Sequence, residues 1–460
     1  MFEIDFNKPV KVHFIGIGGI SMSGLAEILL EAGFVITGSD RAPSELTCRL
    51  ENQGAKVFYG QKAENISEDT DLVVYTAAIK EDNPEFARAK ELNIAMLTRA
   101  ELLGQIMKNY EMPIAVSGTH GKTTTTSMIT QILLDADTDP TVSVGGMLAA
   151  IGGNIRIGHT GMFITEACEY TNSFLSFFPK IAIILNIEED HLDFFKDIND
   201  IRASFKKFAE LLPEDGLLVI NADIDNIPEI TSGLKCKVVT VSSNKKDADY
   251  TAENVSYDEK GCGIFTILKA GQKIMDVHLS VPGEHNVSNA LAAVATAEFI
   301  NIEEKNIVSG LKNFDGTDRR FQYKGKIHDT TIIDDYAHHP TEIMATLKAA
   351  KNYPHKKLWL VFQPHTYTRT KALFDDFAKA LSLADEVVLA DIYAARETDT
   401  LGVSSEQLCQ AVNNNGTKSD YFGSFDEIEN FLLQNISPGD LLITMGAGDI
   451  VKVGENLLGK

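Results

Sequence analysis

Cysteine is sparse and badly spaced for structural chemistry. The chain has five cysteines, Cys48, Cys168, Cys236, Cys262 and Cys409, an odd total with no C-x-x-C pair, which argues against a disulfide framework and a structural zinc site. No apolar run approaches the roughly 18 residues needed to span a bilayer, and Met1–Val10 has no basic stretch leading into an apolar one. A cytoplasmic protein with no membrane partner is therefore expected. Basic side chains are also scarce: 42 Lys and Arg face 65 Asp and Glu, for a net charge of −23. That balance excludes a generic nucleic-acid binder. Anionic ligands can still be held, but only where backbone N–H groups, helix N-termini, a few placed cations or a metal ion are arranged locally. The low aromatic content of 8% and the 13 prolines exclude a fibrous or low-complexity chain. What remains is ordinary for globular protein: 44% hydrophobic and 23% charged residues. At roughly 150 residues per domain, 460 residues correspond to about three domains.

The pattern along the chain alternates strand and helix, which implies parallel sheets with helices on both faces. Val10–Gly16, Phe34–Thr37 and Leu72–Thr76 read as strands, with helical spacing at Met22, Leu25, Ala26 and Leu29 and again over Pro84–Glu91. This first unit is placed at 1–108. The second, 109–318, has expected strands at Ile114–Ser117, Met162–Thr165, Ile181–Ile187 and Gly216–Asn221. Its expected helices are Lys122–Leu134, Asn286–Phe299 and Glu304–Phe314, and short β-prone runs over 236–282 predict an antiparallel insertion. The third, 319–460, alternates strands Thr331–Asp335, Leu358–Phe362, Glu386–Ala390 and Leu441–Met445 with helices Pro340–Lys351, Arg369–Leu383 and Ser404–Asn413. The expected architecture is α/β in three domains: a Rossmann-like N-terminal unit, a central P-loop ATPase-type unit, and a Rossmann-like C-terminal unit.

Ser117-Gly118-Thr119-His120-Gly121-Lys122-Thr123-Thr124 lies between an apolar strand and a helix, the setting a phosphate-binding loop requires. The glycines let N–H groups converge on phosphate oxygens, Lys122 suits the β- and γ-phosphates, and the Thr123 hydroxyl suits Mg²⁺. Val116 stands where the full Walker pattern has its first glycine, so this is a shorter variant. A second glycine loop, Gly16-Ile17-Gly18-Gly19-Ile20-Ser21, also joins a strand to a helix, with Asp40 ending the next strand in position for a ribose hydroxyl. Ser21 replaces the third fingerprint glycine, so a pyrophosphate-bearing ligand is indicated but a nicotinamide cofactor is not. Glu166 and His191 each follow an apolar strand, at the sheet edge shared with the phosphate loop; the carboxylate suits Mg²⁺, and the imidazole is a less usual ligand for it. His285, Asn286 and Asn289 open a helix, either capping it or facing a base or phosphate. Polar clusters at Asp334–His339 and Gln363–Arg369 end two strands of the third unit and predict a substrate surface.

Taken together, these segments resemble the Mur ligase family over essentially the whole chain. The resemblance rests on the two glycine loops, Asp190-His191-Leu192-Asp193, Gly283-Glu284-His285-Asn286, Arg319-Arg320-Phe321-Gln322, Asp335-Tyr336-Ala337-His338-His339-Pro340-Thr341 and Gly446-Ala447-Gly448-Asp449. It implies an ATP-dependent ligase that joins L-alanine to the lactyl carboxylate of UDP-N-acetylmuramate, in the peptidoglycan pathway, as a monomer or weak homodimer. It assigns Gly118, Thr119, His120, Gly121, Lys122, Thr123, Thr124, His285, Asn286, Asn289, Arg320 and Asp335 to ATP, and Thr123, Glu166 and His191 to Mg²⁺. Gly16, Gly18, Gly19, Ser21, Asp40, Thr76, Gly146 and Asn154 go to the UDP-sugar, and Tyr336, His338, His365 and Arg369 to the amino acid. Lys122, Glu166, His191, Arg320 and His338 carry the implied catalysis. Two features depart from the family pattern: Cys168–Thr171 replaces an acidic run, and Thr366 stands where an arginine is common. The alternatives are a related ligase that adds a preformed peptide to the same sugar nucleotide, and an NAD(P)-dependent oxidoreductase using the first glycine loop.

Overall fold

A computed structural model describes residues 2–76, 78–395 and 397–460. Its chain forms three sheets in succession. The first comprises β1 (Lys11–Ile15), β2 (Val35–Asp40), β3 (Lys56–Tyr59), β4 (Leu72–Tyr75) and β5 (Ala95–Thr98), all parallel in the order β3-β2-β1-β4-β5. The second holds β6 (Met112–Ser117), β7 (Thr141–Leu148), β8 (Gly153–Arg156), β9 (Met162–Glu166), β10 (Ile181–Ile184), β11 (Leu217–Asn221), β12 (Lys237–Ser242), β13 (Tyr250–Tyr257), β14 (Cys262–Lys269) and β15 (Gln272–Pro282). Their order is β15-β14-β13-β12-β11-β10-β6-β9-β7-β8. The third contains β16 (Gln322–Ile327), β17 (Thr330–Asp335), β18 (Leu358–Phe362), β19 (Glu386–Leu389), β20 (Lys418–Tyr421) and β21 (Leu441–Met445), ordered β16-β17-β21-β18-β19-β20.

The central strands are apolar on both faces because helices cover both. Every residue of β10 and of β18 is buried. The helix Lys122–Asp135 packs against Glu304–Asn313 so closely that a β-carbon on Gly310 would sit 2.5 Å from Ile132 Cα. One apolar cluster runs from β1 and the helix Arg99–Met107 into Phe163, Phe174 and Phe208, so the first two units share a core. The chain leaves one sheet for the next between Met107 and Met112 and between Asn313 and Gln322. We propose the divisions 1–108, 109–318 and 319–460 on these crossings.

Several expectations are corrected. Of the 236–282 region, β12 pairs parallel with both β11 and β13, so the expected antiparallel pairing is confined to β13–β14 and β14–β15, which extend the edge of the central sheet. The helix expected over Arg369–Leu383 is two, Tyr367–Ala372 and Phe374–Leu381, broken at Leu373 (φ −112°, ψ 24°). The strand expected to reach Ile187 ends at Ile184, which frees Leu185–His191 to form a loop. Among the described residues no helix is long and apolar enough to cross a membrane.

Candidate active site

The phosphate loop follows from its glycines. Gly118 (φ 138°) and Gly121 (φ 84°) take up backbone conformations that side chains oppose, and Gly121 hands the chain straight to the helix at Lys122. The loop lies on the segment after β10: the His120 N–H donates to Asn186 Oδ1 (2.7 Å), and the Glu188 N–H donates to Thr119 Oγ1 (2.9 Å). Lys122 turns back on itself, donating to Gly118 O (2.5 Å) and Thr119 O (3.0 Å) and pairing with Glu169 Oε2 at 3.2 Å. Glu169 is a residue that sequence reasoning missed. Its only signal was a second carboxylate three positions after Glu166.

Glu166 ends β9, where its Oε1 accepts the Gly145 N–H at 2.5 Å. His191 stacks on Tyr170 (centroids 4.5 Å apart), with Nε2 3.9 Å from Glu169 Oε1 and 3.8 Å from Asp190 Oδ2. Lys122, Glu169 and His191 thus meet at one sheet edge, with Glu166 adding its charge to the field at Lys122.

A cavity of about 480 Å³ opens between the central and C-terminal units, lined by His120, Gly121, Thr123, Thr124, His285, Asn286, Asn289, Arg320 and Asp335. These are nine of the residues expected at ATP; Gly118, Thr119 and Lys122 belong to the same loop but do not line the cavity. Burial pushes His285 down to about 4, so it is neutral at pH 7. Burial raises Asp335 to about 6, against the opposing pull of Arg320, while its carboxylate accepts the N–H groups of Phe321 and Ala337. Arg320 lies over the Tyr336 ring at 5.3 Å.

Tyr336, His338, His365 and Arg369 form a chain of contacts. Ring centroids are 5.5 Å apart for Tyr336–His338 and 5.9 Å for His338–His365, and Arg369 Nη1 is 3.1 Å from His365 Nδ1. Arg369 also reaches Asp190 Oδ1 through Nε and Nη2 (3.1 and 3.0 Å). His191, Asp193, His365 and Arg369 share a second cavity of about 600 Å³. Burial holds His338 down at about 4, and its Nδ1 lies 3.0 Å from Tyr336 O.

In the N-terminal unit the Gly18 N–H donates to Asp40 Oδ2 (2.8 Å), so the carboxylate expected to face a ribose closes the glycine loop with one oxygen. Ser21 Oγ accepts from Arg99 Nη1 (3.1 Å). Arg99, also missed, is half-buried and has no carboxylate in ion-pair distance among the described residues, leaving a cation beside the loop. Thr76 Oγ1 accepts the Ala78 N–H at the end of β4. Gly146 and Asn154 sit on the β7–β8 hairpin, which packs on the glycine-loop helix; a β-carbon on Gly24 would lie 2.2 Å from Ile155 Cγ1. The hairpin thereby joins the first two units at the expected sugar site.

His120 couples the loop to the C-terminal unit. Its Nδ1 is 3.0 Å from Glu342 Oε1 and its Nε2 3.5 Å from Glu188 Oε2. Burial alone would lower its pKa, but Glu342 and then Glu188 outweigh this and raise it from 6.5 to about 9. The stabilisation from its charge is complete below pH 6.5 and is lost as pH climbs through about 9, an effect on the order of 3 kcal/mol. Denaturant unfolding of the wild type should therefore weaken over that interval, and His120→Asn should flatten the decline.

A phosphate loop on a wide, mostly parallel sheet, flanked by a glycine-loop unit and closed by a third α/β unit, defines a multidomain nucleotide-dependent enzyme. The chain belongs to the Mur ligase family: residues 11–111 match its catalytic domain, 116–297 its middle domain and 319–448 its glutamate ligase domain. It is 61% identical over 460 residues, and the full length of both chains, to the UDP-N-acetylmuramate–L-alanine ligase of Agathobacter rectalis. It is 54% identical over 454 residues to the protein of the same name from Clostridium botulinum, covering 99% of this chain and 98% of that one. Among solved structures, UDP-N-acetylmuramate-alanine ligase MurC of Thermotoga maritima superposes with a TM-score of 0.80 at 30% identity, over 98% of both chains. A murein peptide ligase from Psychrobacter arcticus gives 0.71 at 26% identity, over 98% of both.

Proposed function

We propose that this chain joins L-alanine to the lactyl carboxylate of UDP-N-acetylmuramate, converting ATP to ADP and phosphate through an acyl phosphate. The observation that carries the reading is the meeting of the phosphate loop, the buried carboxylates and the histidine–arginine group of the C-terminal unit at one edge of the central sheet. The full-length likeness to relatives named for that reaction supports it. The oxidoreductase alternative loses its ground, since those relatives, matched over essentially the full chain, are named as ligases.

A carboxylate is a poor acyl donor because its leaving group is oxide; phosphorylation gives it phosphate to expel. That first step brings two anions together. Lys122, Arg320 and the N–H groups at the start of the helix Lys122–Asp135 would hold the triphosphate and offset the repulsion. The residue types fit Mg²⁺, a hard cation that prefers oxygen: Thr123, Glu166 and Glu169 would supply a hydroxyl and two carboxylates, and His191 Nε2 lies 3.9 Å from Glu169 Oε1. Bound there, the ion would neutralise phosphate charge. Tyr336, His338, His365 and Arg369 would orient the amino acid, and His338, uncharged at pH 7, would take the amine proton through Nε2. The contacts of Glu342 with His120 and of Arg369 with Asp190 would keep the C-terminal unit closed and water away from the intermediate.

The test is product release. ADP and phosphate should appear only when ATP, UDP-N-acetylmuramate and L-alanine are all present. Equal turnover with the sugar nucleotide or the amino acid omitted would refute the reading. Replacing L-alanine by a preformed peptide separates it from the activity named for the Psychrobacter relative.

A further inference from the structure

The Lys122 ammonium is fully engaged before any nucleotide arrives. Its contacts go to Gly118 O, Thr119 O and Glu169, and Glu169 is only 3% exposed. Among the described residues, the other ionisable nitrogen within 4.0 Å of that carboxylate belongs to His191, 3.9 Å from Oε1. A lysine held this way reaches a triphosphate only by giving up Glu169, and a carboxylate so buried is strongly disfavoured without a counter-ion.

We propose that Glu169 is a charge-exchange residue: Lys122 neutralises it in the free protein, and a divalent cation takes over when Lys122 turns to the triphosphate. The inference rests on the nucleotide-ligase reading above. A triphosphate arriving alone is opposed twice, because it removes the counter-ion of Glu169 and adds negative charge beside it. A cation arriving alone meets the Lys122 ammonium already in place. Arriving together, they leave every charge paired, and the oxygen donors of Glu169 and Glu166 suit a hard divalent ion. The protein itself thus links the two affinities, beyond the association of the ion with ATP in water. Glu169 acts as a positioning residue; it does not touch the reacting atoms.

Calorimetric titration of the full chain with ATP, in EDTA and in saturating Mg²⁺, tests this. The wild type should bind at least about 100-fold more tightly with Mg²⁺. Glu169→Gln keeps the shape and an acceptor for Lys122 but removes the charge. It should bind ATP in EDTA at least about tenfold more tightly than the wild type, and its Mg²⁺ enhancement should fall below about tenfold. An enhancement equal to the wild type's overturns the proposal. Should Glu169→Gln fail to fold, nucleotide-free Mn²⁺ binding followed by electron paramagnetic resonance decides. Lys122→Met exposes Glu169 to the ion and should bind Mn²⁺ at least about tenfold more tightly than the wild type; unchanged binding overturns the proposal. Failure of the wild type to bind ATP under either condition would sink the functional reading instead.

Discussion

Lys122→Met is expected to lower kcat for ADP release by about a thousandfold or more, some 4 kcal/mol of transition-state stabilisation. The size follows from position: the lysine is the cation of the phosphate loop and faces the sheet edge where the acyl phosphate would form. The same change breaks a buried ion pair with Glu169, and removing one partner of such a pair costs about 3–5 kcal/mol of stability. Lost activity alone would therefore be ambiguous. The double variant Lys122→Met/Glu169→Gln separates the two effects, because it leaves no uncompensated charge. Its thermal midpoint should return close to that of the wild type while turnover stays absent. If the stable double variant regained more than about a tenth of wild-type kcat, the lysine would have no part in the chemistry.

Such a pair illustrates what the linear sequence carries and what it hides. Strands that are mostly apolar and buried throughout, such as Leu358–Phe362 and Leu441–Met445, and the helix begun by Pro340 were legible at the residue, because burial on both faces and proline at the first helical turn are local signals. The polar edge strand Lys418–Tyr421 and the break at Leu373 escaped, since neither has apolar periodicity or a Gly or Pro mark. In the site, the phosphate loop was legible because its glycines, lysine and threonine are contiguous. Glu169 was not: it gains meaning only when the strand after it brings His191 alongside. Likewise the His120–Glu342 contact joins residues 222 positions apart, and no local pattern predicts it. Asp40 is expected to face a ligand, and its carboxylate also accepts the Arg41 and Gly18 N–H groups, contacts that only the folded glycine loop creates.

Arg369→Met is expected to raise KM for L-alanine by about a hundredfold or more, with little change in KM for ATP. Arg369 gives two N–H groups to one oxygen of Asp190 and another to His365, so a single guanidinium joins the loop after β10 to the expected amino-acid site. Burial would raise the Asp190 pKa, but Arg369 above all, then His191 and His338, hold it well below the usual carboxylate range. With Arg369 removed, Asp190 keeps a buried charge and loses its main partner, a loss of about 3–5 kcal/mol at a contact between the central and C-terminal units. Small-angle scattering of Arg369→Met should therefore show a larger radius of gyration than the wild type. Arg369→Lys restores a charge without the fork, and should recover the compact form more fully than the alanine KM. Thr366 brings no cation to this site, so on the proposed reading the amino-acid carboxylate would depend the more heavily on Arg369. An unchanged KM in Arg369→Met, with scattering altered, would make the residue an interdomain clasp and place that carboxylate on another cation.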